Sequence, residues 1–88
     1  SEENEYVLPD SAKRKLKKSD LKGLSKEELR IARNEIYARH GRMFDDKKLQ
    51  KYFDSQSWYD GTVPASEFSE DVLSSVEKKN VAFIRQFE

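Results

Sequence analysis

Three side chains with catalytic potential lie close together in the chain: Arg33, Glu35 and His40. His40 is the only histidine, and an imidazole that titrates near neutral pH is the usual general base. Glu35 could orient that imidazole, and the planar fork of Arg33 could hold a substrate carboxylate or phosphate. One prediction is therefore a small hydrolase-like or transferase-like domain that uses these three residues.

The spacing of the same residues favours a structural role. His40 falls at the predicted C-terminal end of a helix, on its apolar face, where a packed histidine also complements the helix dipole. Glu35 and Arg39 are four residues apart in the favourable order, so an ordinary intrahelical ion pair explains both. We therefore assign no catalytic residue and keep the enzyme as the alternative.

The helix that positions these residues has clear start and stop signals. Ser25 and Glu28 form a capping box, in which each side chain can reach the free backbone N–H of the other. Gly41 suits the left-handed residue that commonly follows a helix. We expect a helix over residues 26–40 that is apolar on two sides, which is typical of a central helix with neighbours on both sides.

Polar groups on a central helix must be paired, because an unpaired buried group costs about 1–3 kcal/mol. Asn80 raises the same question, since it interrupts the apolar stripe of the last predicted helix. We predict that Arg33 and Asn80 are at least half buried and are joined in one network. The predicted members of this structural network are Arg33, Asn34, Glu35, Tyr37, Arg39, His40 and Asn80.

The other elements are shorter. Tyr6 to Leu8 is an extended candidate before Pro9, residues 12–21 have a weak helical pattern, and Gly23 should end it. A third helix should follow Asp45 or Asp46, and the last should follow Ser69 or, better, Ser74, which forms a second capping box with Glu77. The predicted fold is all-α, with three or four short helices around helix 26–40 and an extended N-terminal segment. Residues 1–5 are predicted to be a flexible tail, and residues 6–88 the domain.

Composition excludes several functions. Seventeen basic and seventeen acidic residues balance, so the charge gives no reason to expect a nucleic-acid partner. There is no cysteine, and one histidine among scattered carboxylates shows no metal-ligand spacing, so we expect neither metal nor cofactor. No apolar run approaches the ~20 residues of a membrane span, so we expect no membrane insertion by this domain. The basic stretch from Lys13 to Lys18 is interpreted as a solvated helix face.

A binding surface is predicted around the loop after the third helix. Trp58 and Tyr59 stand beside the turn Asp60-Gly61, and aromatic rings on a loop can stack on sugar rings. Burial of Trp58 is favoured because few other residues supply as much area to a small core. The predicted contact residues are Trp58, Tyr59, Asp60, Lys47, Lys48 and Lys51.

The run from Arg33 to Gly41 resembles the motif that names the YARHG family of bacterial domains. Further matches are Leu49-Gln50, Tyr52-Phe53, Trp58-Tyr59, Leu73-Ser74, Glu77 and Asn80. Ser74 stands where the family is expected to have Asn, and both residues cap helices. The resemblance implies an extracellular domain cut from a longer surface protein. We therefore predict a non-catalytic module of the bacterial cell surface that binds a cell-wall polymer or a protein partner.

Overall fold

The computed structural model describes residues 6–88, and its regular elements are all helical. The helices are α1 (Lys18–Leu21), α2 (Lys26–Ala38), α3 (Lys47–Asp54) and α4 (Ser75–Arg85). Three single-turn 3-10 helices cover Pro9–Ala12, Ala65–Glu67 and Glu70–Val72. Within residues 6–88 the only β-type pairing is an isolated bridge between Arg42 and Val63. The all-α prediction is confirmed, whereas the predicted tail at residues 1–5 lies outside the described residues.

Helix α2 begins as the sequence predicts. The Ser25 hydroxyl accepts the Glu28 N–H at 3.1 Å, and the Glu28 carboxylate accepts the Ser25 N–H at 2.8 Å. The helix ends at Ala38 rather than at His40, so its predicted end was two residues too late. The N–H groups of His40 and Gly41 bond carbonyls only three residues back, which tightens the last turn. Gly41 has the predicted left-handed conformation, with φ at +88°.

Helix α2 is central because other segments cover two of its sides. It packs against α4 and α3, and Leu29, Ala32 and Ile36 on one side are buried. Ala38 is buried on the opposite side, as the two-sided apolar pattern predicts, and the carboxylate of Glu35 is buried as well. The remaining buried apolar side chains are Leu8, Leu16, Leu21, Tyr37, Phe44, Leu49, Phe53, Leu73, Val81 and Ile84.

The predicted helix over residues 12–21 is largely absent, since only Lys18–Leu21 is α-helical. The Leu16 N–H and the Arg14 carbonyl are hydrogen-bonded to the side chain of Asn80 in α4. These groups are therefore unavailable for the internal hydrogen bonds that a continuous helix needs. The segment runs over α4 in a non-helical path, and the short helix ends before Gly23 at φ +86°.

The last two helices start at predicted caps. The Asp46 carboxylate accepts the N–H groups of Lys48 and Leu49 at 2.8 and 3.2 Å. Ser74 and Glu77 form the second capping box. The buried face of α4 consists of Glu77, Asn80, Val81 and Ile84, whereas the apolar residues Phe83 and Phe87 are only half buried. Asn80 is buried on this helix as predicted, and the polar residues Glu77 and Asn80 have partners inside the protein.

Candidate functional site

Glu35 ties the N-terminal segment to α2. Its carboxylate oxygens accept the Val7 N–H at 2.9 Å and the Leu8 N–H at 3.2 Å. The side chain has no solvent exposure, and this burial raises the pKa of Glu35, although the two N–H donors oppose the effect. The expected ion pair with Arg39 is absent, because the carboxylate faces these backbone groups and Arg39 donates to the Ser11 hydroxyl instead.

His40 joins the end of α2 to the start of α4. Its Nε2 atom lies 3.0 and 3.1 Å from the two carboxylate oxygens of Glu77. The same carboxylate accepts the Ser74 N–H at 2.9 Å within the capping box. The His40 side chain is 29% exposed and that of Glu77 is 6% exposed. One buried carboxylate thus fixes both the imidazole and the first turn of α4.

Asn80 holds the N-terminal segment to α4 from inside the protein. Its amide oxygen accepts the Leu16 N–H at 2.9 Å, and its amide nitrogen donates to the carbonyls of Ser11 and Arg14 at 2.7 and 2.9 Å. The residue is 1% exposed. All three partners are backbone groups of the N-terminal segment, and Arg14 and Leu16 lie between its 3-10 turn and α1, so Asn80 supplies the pairing that a continuous helix would give them.

The prediction of one network containing Arg33 and Asn80 is wrong. Arg33 is mostly buried, but its guanidinium forms a two-pronged ion pair with Glu88, whereas within residues 6–88 the Asn80 side chain bonds to the N-terminal segment. Positions 33 and 35 project to opposite sides of a helix with 3.6 residues per turn. The polar residues of the run from Arg33 to Gly41 therefore contact several separate partners and do not form one shared cluster.

The three residues of the enzyme alternative are accordingly held by three different parts of the chain. Arg33 binds Glu88, Glu35 binds the Val7 and Leu8 backbone, and His40 binds Glu77. No hydrogen bond joins any two of the three within the described part of the chain. A general base, an orienting carboxylate and a substrate-binding arginine would have to face one common point. Only Arg33 and His40 retain some exposure to solvent.

The loop that carries the predicted contact residues packs against the rest of the protein. Trp58 and Tyr59 are half buried, and their rings contact that of Phe53 at centroid distances of 6.0 and 5.8 Å. The Tyr59 hydroxyl donates to the Arg42 carbonyl at 2.7 Å, and the buried Trp58 indole N–H has no partner among the described residues. The exposed members of the predicted surface are Asp60, Lys47, Lys48 and Lys51.

A cavity of about 270 Å³ opens between α2, the segment around residues 65–70, and α4. Its walls carry three arginines, Arg33, Arg42 and Arg85, together with the carboxylate of Glu70. The Tyr37 hydroxyl donates to Glu70 at 3.2 Å, and burial, with Glu70 nearby, raises the pKa of Tyr37. Arg42 and Arg85 are not predicted as site residues from the sequence, because they lie 43 positions apart (85 minus 42) and outside any periodic pattern.

Among residues 6–88, no group of three or more His, Cys, Asp or Glu side chains is arranged to hold a metal ion. None of the helices in this range is long and apolar enough to cross a membrane.

Comparison with known proteins gives one match. The family model described as the YARHG domain matches residues 4–88, which is nearly the whole chain. No curated protein and no solved structure is significantly similar to the chain.

Proposed function

The chain belongs to the YARHG domain family, and on this premise we propose that it is a non-catalytic extracellular module of a bacterial surface protein. In this proposal the module binds an anionic cell-wall polymer through an exposed basic face. A protein partner is the other outcome that the experiment below must distinguish.

The proposal rests on the observation that polar residues of the run from Arg33 to Gly41 form hydrogen bonds with other parts of the same domain. Glu35 is sealed from solvent and bonded to the Val7 and Leu8 backbone, and His40 is bonded to the capping carboxylate Glu77. A substrate could reach Glu35 only if the N-terminal segment detached from α2. Such opening would consume much of the ~5–15 kcal/mol that stabilises a typical folded protein. These contacts favour a motif that holds segments together over one that performs a reaction.

The proposed contact surface is the outer face of α3 with the loop beside it. Lys47, Lys48 and Lys51 are exposed, and none of them takes part in the ion pairs formed within residues 6–88. Unpaired ammonium groups on a rigid element attract a polyanion and hold it in a salt-dependent manner. The half-buried rings of Trp58 and Tyr59 supply the apolar edge of this surface, and Asp60 is not part of it because its carboxylate would repel a polyanion.

The helix beneath these lysines is well anchored. Asp46 caps its first turn, and Leu49 and Phe53 are buried on its inner side. Charge changes at the three lysines should therefore leave the fold intact. This separation of contact residues from folding residues makes the proposal testable by mutation.

The test is retention of the folded domain on purified cell-wall material, with and without its teichoic acid. A variant with Lys47, Lys48 and Lys51 changed to Glu is compared with a variant carrying the same changes at exposed Lys13, Lys78 and Lys79. We expect the wild type and the second variant to be retained on teichoic-acid-bearing wall, and the first variant to be lost. Equal behaviour of the two variants would contradict the proposed surface, and a wild-type domain retained on neither wall preparation would exclude the polymer and leave the protein partner.

A further inference from the structure

The arginine-lined cavity is a second candidate site and shares no residue with the lysine face. Its volume of about 270 Å³ is several times the ~30 Å³ that one water occupies in the liquid. The cavity is therefore large enough for a charged group together with part of the molecule that carries it. Its walls combine charged side chains with the aromatic rings of Tyr37 and Phe68.

Arg42 is held in place by aromatic rings and not by a carboxylate. Its guanidinium carbon lies 5.6 Å from the ring centroid of Tyr37, 4.9 Å from that of Phe44 and 5.8 Å from that of Phe68. Such contacts stabilise a cation and fix its orientation, yet they leave its N–H donors unused. Arg42 takes no part in the ion pairs formed within residues 6–88, in contrast to Arg14, Arg30 and Arg33.

The charges around the cavity do not cancel. Glu88 already neutralises Arg33, so the unpaired cations are those of Arg42 and Arg85, and the lining carboxylate is that of Glu70. Two positive charges against one negative charge leave an excess of one positive charge. That excess matches a group with one negative charge, and guanidinium forks bind planar carboxylates and phosphate oxygens with two parallel hydrogen bonds.

We propose that this cavity binds a monoanionic oxyanion group, a phosphodiester or a carboxylate, on a larger molecule. Arg42 and Arg85 hold the anionic oxygens, and the rings of Tyr37 and Phe68 contact the adjoining atoms. Glu70 limits the affinity, because its carboxylate repels the ligand. The proposed lysine-face function does not depend on this site, so the failure of one leaves the other standing.

The two possible sources of the anion can be separated with small probes. Dimethyl phosphate represents a phosphodiester and acetate represents a carboxylate, and sodium chloride at the same ionic strength is the control. Each is titrated into the isotope-labelled domain, and the backbone amide and arginine Nε–H signals are followed by NMR. We expect saturable shifts around Tyr37, Arg42 and Phe68 with at least one probe, and the probe that binds more tightly identifies the group.

Three variants test which side chains hold the anion. Arg42→Met keeps the packing against the aromatic rings without the charge, and the exposed Arg85→Gln removes the second cation without disturbing the core. Each should weaken binding by about tenfold, as expected for the loss of a charged hydrogen bond. Glu70→Gln should strengthen binding, because it removes repulsion and retains an acceptor for Tyr37. Arg14→Gln, a change at an exposed arginine of the N-terminal segment, should have no effect.

The outcomes decide the proposal even if one variant is poorly folded. NMR spectra of each variant report its fold directly, and Arg85→Gln and Glu70→Gln alter exposed residues. No saturable shift with either probe beyond the chloride control would overturn the site. Equal affinity of wild type, Arg85→Gln and Glu70→Gln would overturn it as well.

Discussion

The Leu16 N–H donates to the side-chain oxygen of Asn80 at 2.9 Å, between residues 64 positions apart in the chain. The Asn80 amide nitrogen simultaneously donates to the carbonyls of Ser11 and Arg14. One side chain in α4 thereby supplies partners for three backbone groups that a continuous N-terminal helix would otherwise pair. The segment lies on α4 because its backbone groups find their partners there, and it brings Leu8 and Leu16 into the core.

Replacing Asn80 with Ala should lower the free energy of unfolding by about 2–4 kcal/mol, because three backbone groups lose their partner. Asn80→Asp keeps an acceptor for the Leu16 N–H but cannot donate to the two carbonyls. Chemical denaturation measures the free energy of unfolding of both variants, and Lys79→Ala, an exposed change on the same helix, is the control. An Asn80→Ala variant as stable as the control would show that water satisfies these groups equally well.

Glu35 should make stability depend on pH in an unusual direction. Burial raises its folded-state pKa above the ordinary 4.5, so its favourable contribution is fully present below that value and is lost as pH rises through the folded-state pKa. Glu35→Gln removes this titration, although it also leaves one of the two N–H donors without an acceptor. The stability difference between wild type and Glu35→Gln should therefore shrink as pH rises from about 4 to about 7.

The measurement is denaturant unfolding of both proteins across that pH range. Asp20 has the opposite behaviour, because its hydrogen bond to Arg14 lowers its pKa to about 2, but it is present in both proteins and cancels in the difference. A direct NMR titration of the Glu35 carboxyl carbon provides the second readout. A stability difference that grows with pH would mean that the two N–H donors lower the pKa of Glu35 by more than burial raises it.

Two glycines have nearly equal φ angles but different surroundings. Alanine substitutions at the two positions therefore distinguish the cost of the left-handed conformation from the cost of steric contact. Gly23 and Gly41 have φ of +86° and +88°, so alanine at either position pays about 1–2 kcal/mol for the left-handed conformation. A Cβ at position 23 meets nothing within 4 Å, whereas at position 41 it would lie 3.0 Å from the Thr62 Oγ1 and 3.3 Å from the Asp60 carbonyl oxygen. Gly41→Ala should be the more damaging change in thermal melts, and equal melting temperatures would exclude a steric contribution.

The features that the sequence predicted correctly are those that depend on neighbours in the chain. Ser25 with Glu28, Ser74 with Glu77, and Gly41 act within one helical turn, and all three appear in the structure as predicted. Apolar periodicity likewise placed α2 at the centre. Local physical rules suffice where a residue and its partner are three or four positions apart.

The errors concern partners that are distant in the chain. Residues 12–21 do not form the predicted helix, because Asn80 takes hydrogen-bonding groups that this helix would need. Arg33 pairs with Glu88, 55 positions away, and not with the predicted network. Nothing in the residues near Arg42 indicates that Arg85 lines the same cavity. Tyr59 shows the same effect, since its hydroxyl bonds the Arg42 carbonyl and makes a predicted contact residue part of the scaffold.

The last prediction separates binding from folding. Changing Lys47, Lys48 and Lys51 to Glu should abolish retention on teichoic-acid-bearing wall while the melting temperature stays within a few degrees of wild type, because exposed substitutions change stability by about 0.5 kcal/mol or less. Arg33→Ala should do the reverse. It leaves Glu88 without its partner in a mostly buried ion pair, so the melting temperature should fall clearly, and retention should decline only to the extent that unfolded protein accumulates.

Circular dichroism melts and retention assays on the same samples test both statements, and retention measured well below each melting temperature removes the contribution of unfolding. A fully folded Arg33→Ala or His40→Ala variant that loses a measurable activity would contradict this division of roles and would favour the enzyme alternative.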